Sequence, residues 1–119
     1  MKLIIIKEDG GYEIIRSTAK PGLEELQRMV GGMIEWVALD EKLGFYINEE
    51  GKINNLKINT LASAYWNQIL SKMGYKLTDY IAGKAVLLGT DDEGESCSLS
   101  EEAITDFTDF ADDFVQMTK

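Results

Sequence analysis

The sequence predicts an α+β fold: a mixed or mostly antiparallel sheet of about five strands with three helices, in the order ββαββαβα. Three observations predict it. Two pairs of β-rich segments are each joined by a short polar turn, three stretches repeat apolar residues at helical spacing, and two short apolar runs read as buried strands. At 119 residues the chain suits one hydrophobic core, so a single domain over 1–119 is expected.

The opening hairpin is read from Lys2 to Glu8, with Ile4, Ile5 and Ile6 in a row, the turn Asp9-Gly10-Gly11, and Tyr12 to Arg16. The unbroken isoleucine run implies burial on both faces and hence an interior strand. Pro21 suits a first helical turn; Leu23, Leu26 and Val30 follow at helical spacing until Gly31-Gly32 ends the pattern. Met33 to Leu39 and Phe45 to Asn48 form a second hairpin around Asp40 to Gly44, closed by Glu49 to Lys52.

Asn59 is placed to cap the longest helix before the tail, whose stripe is Leu61, Tyr65 and Ile69 beside Ala62, Trp66 and Met73, with Gly74 as its stop. The link from Gly74 to Ile81 carries no clear pattern. Ala82 to Gly89 reads as a second buried strand, ended by the polar turn Thr90 to Ser96. Ser98-Leu99-Ser100-Glu101 has the spacing of a capping box, and Ile104, Phe107, Ala111, Phe114 and Val115 give the last helix, about 100–116, an apolar face. Trp36, Phe45, Tyr65 and Trp66 are expected in the core.

Composition narrows the chemistry. The chain has no histidine, which removes the commonest general base and zinc ligand, and its lone Cys97 has no partner for an internal disulfide and no base to activate it. No cofactor is expected. No charged leader precedes a long apolar run, so a cytoplasmic protein without membrane contact is expected. The net charge of −9 is concentrated: eleven basic and eleven acidic residues cancel through Thr90, and beyond it ten acids face Lys119 alone. A localised negative surface repels nucleic acid and attracts a basic partner.

Four strings recur in an order that resembles a known family: Val30-Gly31-Gly32-Met33-Ile34-Glu35, Asn48-Glu49-Glu50-Gly51-Lys52, Ile81-Ala82-Gly83, and Asp91 to Glu95 leading to Ser98-Leu99-Ser100-Glu101-Glu102. Together they resemble the domain of unknown function 3846, found in phages, plasmids and other mobile elements, over roughly Met1 to Phe114. The tract Leu61 to Met73 departs from that pattern in being longer and more helical. The resemblance implies a phage or mobile-element protein acting inside a bacterium and supplies no catalytic or binding residues.

The main candidate site is acidic. Glu102, Asp106, Asp109 and Asp113 are spaced by four, three and four residues, which puts their carboxylates on one side of the last helix, with Asp112 broadening the surface. Neighbours on such a stripe are roughly 5–6 Å apart, near the spacing of phosphates along a DNA strand. The sharper reading is a nucleic-acid mimic that occupies the basic surface of a host or defence protein; the plainer one is a solvated helix face. Asp91, Asp92, Glu93 and Glu95 extend the surface if their turn lies alongside, and the misplaced glycine argues against a calcium loop there.

An alternative site is a polar edge of Asn48, Asn54, Asn55 and Asn59 for a small ligand or signal nucleotide, which would need Lys57, Lys72 or Lys84 nearby. Turn chemistry accounts for the same asparagines. The leading expectation is thus a non-enzymatic binding protein, followed by a small-ligand binder and then a carboxylate enzyme using a divalent metal. Homo-oligomerisation is left open.

Overall fold

A computed structural model describes residues 1–17 and 19–117; Lys119, the single base of the acidic tail, lies outside them. The elements are β1 (Lys2–Ile6), β2 (Tyr12–Arg16), α1 (Leu23–Val30), β3 (Ile34–Ala38), β4 (Leu43–Asn48), α2 (Thr60–Lys72), β5 (Ala85–Thr90), β6 (Ser96–Cys97) and α3 (Glu101–Met117). This is the expected α+β order with the two-residue β6 added before α3. The sheet runs β2-β1-β5-β4-β3, with β6 on β5, and every strand pairing among the described residues is antiparallel.

The two apolar runs occupy interior strands because helices cover both faces. Ile4, Ile6, Ala85 and Leu87 meet α2 and α3, while Leu3, Val86 and Leu88 meet Leu26 and Val30 of α1. Side chains alternate across a strand, so a strand packed on both sides has no polar position to offer. Most of the core lies on the α2–α3 side, where Phe45, Leu61, Tyr65 and Phe107 are fully buried. Trp36 and Trp66 are only half-buried; Trp36 packs edge-on against Tyr46.

Three boundaries move for local reasons. Gly22, not the residue before Pro21, is the N-cap of α1, which leaves Leu23 57% exposed. Strand β5 starts at Ala85 instead of Ala82, because Ala82 forms a lone bridge to Ile58 and Gly83 turns the chain at φ +86°. At the start of α3 the capping box does not close: Ser100 Oγ accepts from Ala103 N–H, whereas Ser98 Oγ accepts from Lys2 N–H. Glu101 instead pairs with Lys2 and Arg16, fastening α3 to the strands. Met73 and Val115, both expected on apolar faces, are exposed near the ends of their helices.

The link that carried no pattern has no regular structure from Gly74 to Tyr80, yet it is tied down. Asp79 pairs with Lys52, and the Lys52 ammonium lies 4.6 Å over the Tyr80 ring. Among the described residues no helix is long and apolar enough to cross a membrane.

Asn59 joins these layers. Its side-chain oxygen caps α2 by accepting from Ala62 N–H, its amide nitrogen donates to the carbonyls of Ile6 and Gly83, and its backbone N–H donates to Ile81. The side chain is fully buried, so its removal strands groups that water cannot reach. Asn59→Ala is expected to lower stability by about 2–4 kcal/mol, combining a lost cap with unpaired buried carbonyls. Urea unfolding checks this: a midpoint within error of wild type would remove Asn59 from its central place.

Candidate functional site

The last helix owes its orientation to its own pattern. Ile104, Phe107 and Ala111 repeat at helical spacing and are buried against the sheet, which turns Glu102, Asp106, Asp109 and Asp113 to the opposite side, where all four are exposed. Among the described residues no cation lies within ion-pairing distance of these four or of Asp112, although Glu101 and Asp79 are both paired. All five are exposed, and the only charges along the described helix are like charges.

Two of the acids have tyrosine neighbours. The Tyr65 hydroxyl donates to Asp106 Oδ2 at 2.8 Å, and the Tyr12 hydroxyl lies 3.4 Å from Asp112 Oδ1. Burial, and secondarily the Asp106 carboxylate, push the Tyr65 phenol far above its ordinary 10.0; burial and then Asp112 raise Tyr12. Tyr65 also packs edge-on against Phe107 at 5.0 Å and lies 5.3 Å from Phe110, so one residue of α2 holds both the apolar and the acidic side of α3.

Beside this contact the two helices line a groove of about 710 Å³. From α3 it is lined by Asp106, Asp109, Phe110, Asp113, Phe114 and Met117, and from α2 by Ala64, Asn67, Gln68, Ser71 and Lys72. Phe110 and Phe114 stack at 6.0 Å and lie between the acidic crest and the buried face. The groove therefore has an apolar floor, one acidic rim, and a second rim of amides and hydroxyls ending in Lys72.

A second depression, about 540 Å³, brings Asp40 and Asp92 alongside Glu102 and Asp106, with Lys42 in the same wall. The negative surface thus extends past α3, and Asp92 of the polar turn joins it. Asp91 itself is used locally, accepting from the backbone N–H groups of Glu93 and Glu95. Among the described residues no three carboxylate or cysteine side chains gather as a metal-ligand set. Cys97 is a half-buried free thiol in β6.

The asparagine edge is divided by the fold. Asn54 and Asn55 lie exposed in the turn after β4, whereas Asn48 and Asn59 are buried and occupied. Asn48 donates to the Val30 carbonyl and accepts from Glu50 N–H, and Asn59 makes the joint described above. The Asn59 amide presents no surface to a ligand, while Asn48 keeps a small exposed area and lines a depression of about 100 Å³ with Lys52, Asp79 and Tyr80. The three lysines are separated as well: Lys72 ends α2 at the groove, while Lys57 and Lys84 flank the Asn59 cap at its other end.

Three of the four family-like strings meet at that structural junction. A Cβ on Gly32 would lie 2.8 Å from Asn48 Nδ2, and one on Gly51 would lie 2.7 Å from the Ala82 carbonyl oxygen. Glu49 N–H donates to Met33, completing contacts among the Val30, Asn48 and Ile81 segments. The fourth string forms the β5–β6 turn and the start of α3.

The fold and surface define a small antiparallel α+β domain that presents an acidic helix and an adjoining groove. It belongs to the family described as domain of unknown function (DUF3846), whose sequence profile matches residues 1–112. Comparisons with curated proteins and with solved structures give no match.

The Tyr65–Asp106 contact sets a pH dependence. A phenol whose pKa is raised by folding contributes stability that is complete below pH 10.0 and is lost as the pH climbs beyond it, because only the unfolded chain ionises freely. Wild type should lose up to about 1.4 kcal/mol per pH unit from this group above that point. Tyr65→Phe should unfold with a shallower alkaline slope in chemical denaturation at pH 9 to 11; an unchanged slope would show that Tyr65 ionises freely in the folded protein.

Proposed function

We propose that this chain is a non-enzymatic binding protein of phage or mobile-element origin that modulates a host or defence protein through the acidic surface of α3. The carrying observation is the exposed, unpaired crest of Glu102, Asp109 and Asp113, with Asp106 held beside it by Tyr65. Glu102 sits in the first turn, where the helix dipole favours an acid, but Asp109 and Asp113 lie beyond it and do not serve the helix. Like charges at i,i+4 cost a few tenths of a kcal/mol per pair, and acids in the C-terminal half oppose the helix dipole. Asp112 and Asp113 lie in that half, and the last turn carries no base among the described residues.

Occupancy is the mechanism. The crest meets lysine and arginine on the partner, and the wider field, extended by Asp40 and Asp92, steers the encounter. In its sharpest form the crest stands in for the phosphates of a nucleic acid and blocks the groove of a nucleic-acid-binding protein. The phage or mobile-element setting is what the resemblance to this family implies.

The test is capture from a bacterial host lysate at low and moderate salt, comparing wild type with a folded Glu102→Gln, Asp109→Asn, Asp113→Asn variant. A nucleic-acid-binding or defence protein retained by wild type, released by salt and missed by the variant is the expected result. Identical captures by both proteins would mean that the crest is only solvated.

A further inference from the structure

The groove beside the crest narrows the class of partner, and the argument rests on the reading of α3 as a binding surface. We propose that the α2–α3 groove docks a basic amphipathic helix of a partner protein. Phe110 and Phe114 form an apolar floor, and the lining residues run from Ala64 to Lys72 along α2 and from Asp106 to Met117 along α3, so the groove follows both helices over several turns. An amphipathic helix lays apolar anchors at i, i+3, i+4 and i+7 into such a track.

Charge chooses the occupant. Asp109 and Asp113 line the rim on α3, so the inserted helix carries lysine or arginine along the flank that faces α3. The opposite rim is uncharged apart from Lys72, so the flank facing α2 is polar and neutral or acidic. That asymmetry fixes how the occupant is rotated about its own axis. A second copy of the chain is disfavoured, because the net charge of −9 would bring two acidic crests together. A nucleic acid is repelled for the same reason.

The probe is an 18-residue leucine–lysine peptide with leucines at helical spacing, set against a peptide of the same composition with the leucines scattered. Binding is read by fluorescence anisotropy and by amide chemical-shift changes in the full chain. The patterned peptide should bind at least tenfold more tightly than the scattered one and shift amides around Phe110 and Gln68. Gln68→Arg and, independently, Asn67→Arg place a cation in the groove without touching the buried core, and each should weaken the patterned peptide several-fold while the melting temperature stays near wild type.

Equal binding of both peptides would overturn the groove while leaving the acidic surface standing as a binding face. Binding of neither at low salt would overturn both. Tight patterned binding that both arginine variants leave unchanged, or that shifts amides elsewhere, would place the docking site outside the groove.

Discussion

Asn59 is the constraint on which the arrangement depends. A single buried amide bonds the end of β1 at Ile6, caps α2 through the Ala62 N–H and holds the chain at Gly83 before β5 begins. Because that side chain bonds to three separate segments, α2 has one allowed position over the sheet. Tyr65, one and a half turns along α2, then fixes α3 through Phe107 on one side and Asp106 on the other. The groove and its acidic rim are a consequence of that sequence of contacts, since both helices must be placed before their flanks can enclose a space.

The charge distribution looks wasteful until it is set against this geometry. Some acids elsewhere have partners: Glu101 meets Arg16 and Lys2 and is held below the usual carboxylate range by them, Asp79 meets Lys52 with the same effect, and Asp40 and Asp91 accept turn N–H groups. Exposed pairs of this kind add little stability, but they show that compensating bases are available in the chain. None of those bases reaches the outer crest of α3. The crest is therefore an exposed surface whose charge has no ion-pair partner among the described residues, and it adjoins Phe110 and Phe114 in the wall of the groove.

Much of the fold was legible because local signals agreed. The hairpin turns, the Asn59 cap, the Gly31 stop and the two apolar runs each specify one conformation, and the structure follows them. The misses share a cause: they depend on residues distant in sequence. Ser98 fits a capping box, but Lys2 claims its hydroxyl from 96 residues away. Asn48 and Asn59 resemble a polar edge until tertiary contacts bury them. The acidic crest was readable from helical spacing alone, whereas the groove beside it needs the α2–α3 packing, for which the sequence offers only the Tyr65 stripe as a hint.

If the crest carboxylates serve a partner and not the fold, stability at low salt shows it before any partner is known. Asp109→Asn, Asp113→Asn should melt at or above the wild-type temperature in low salt, and added sodium chloride should stabilise wild type more than the variant, since it screens repulsion that the variant lacks. A variant that melts well below wild type at low salt would contradict the account, because the carboxylates would then be holding the domain together.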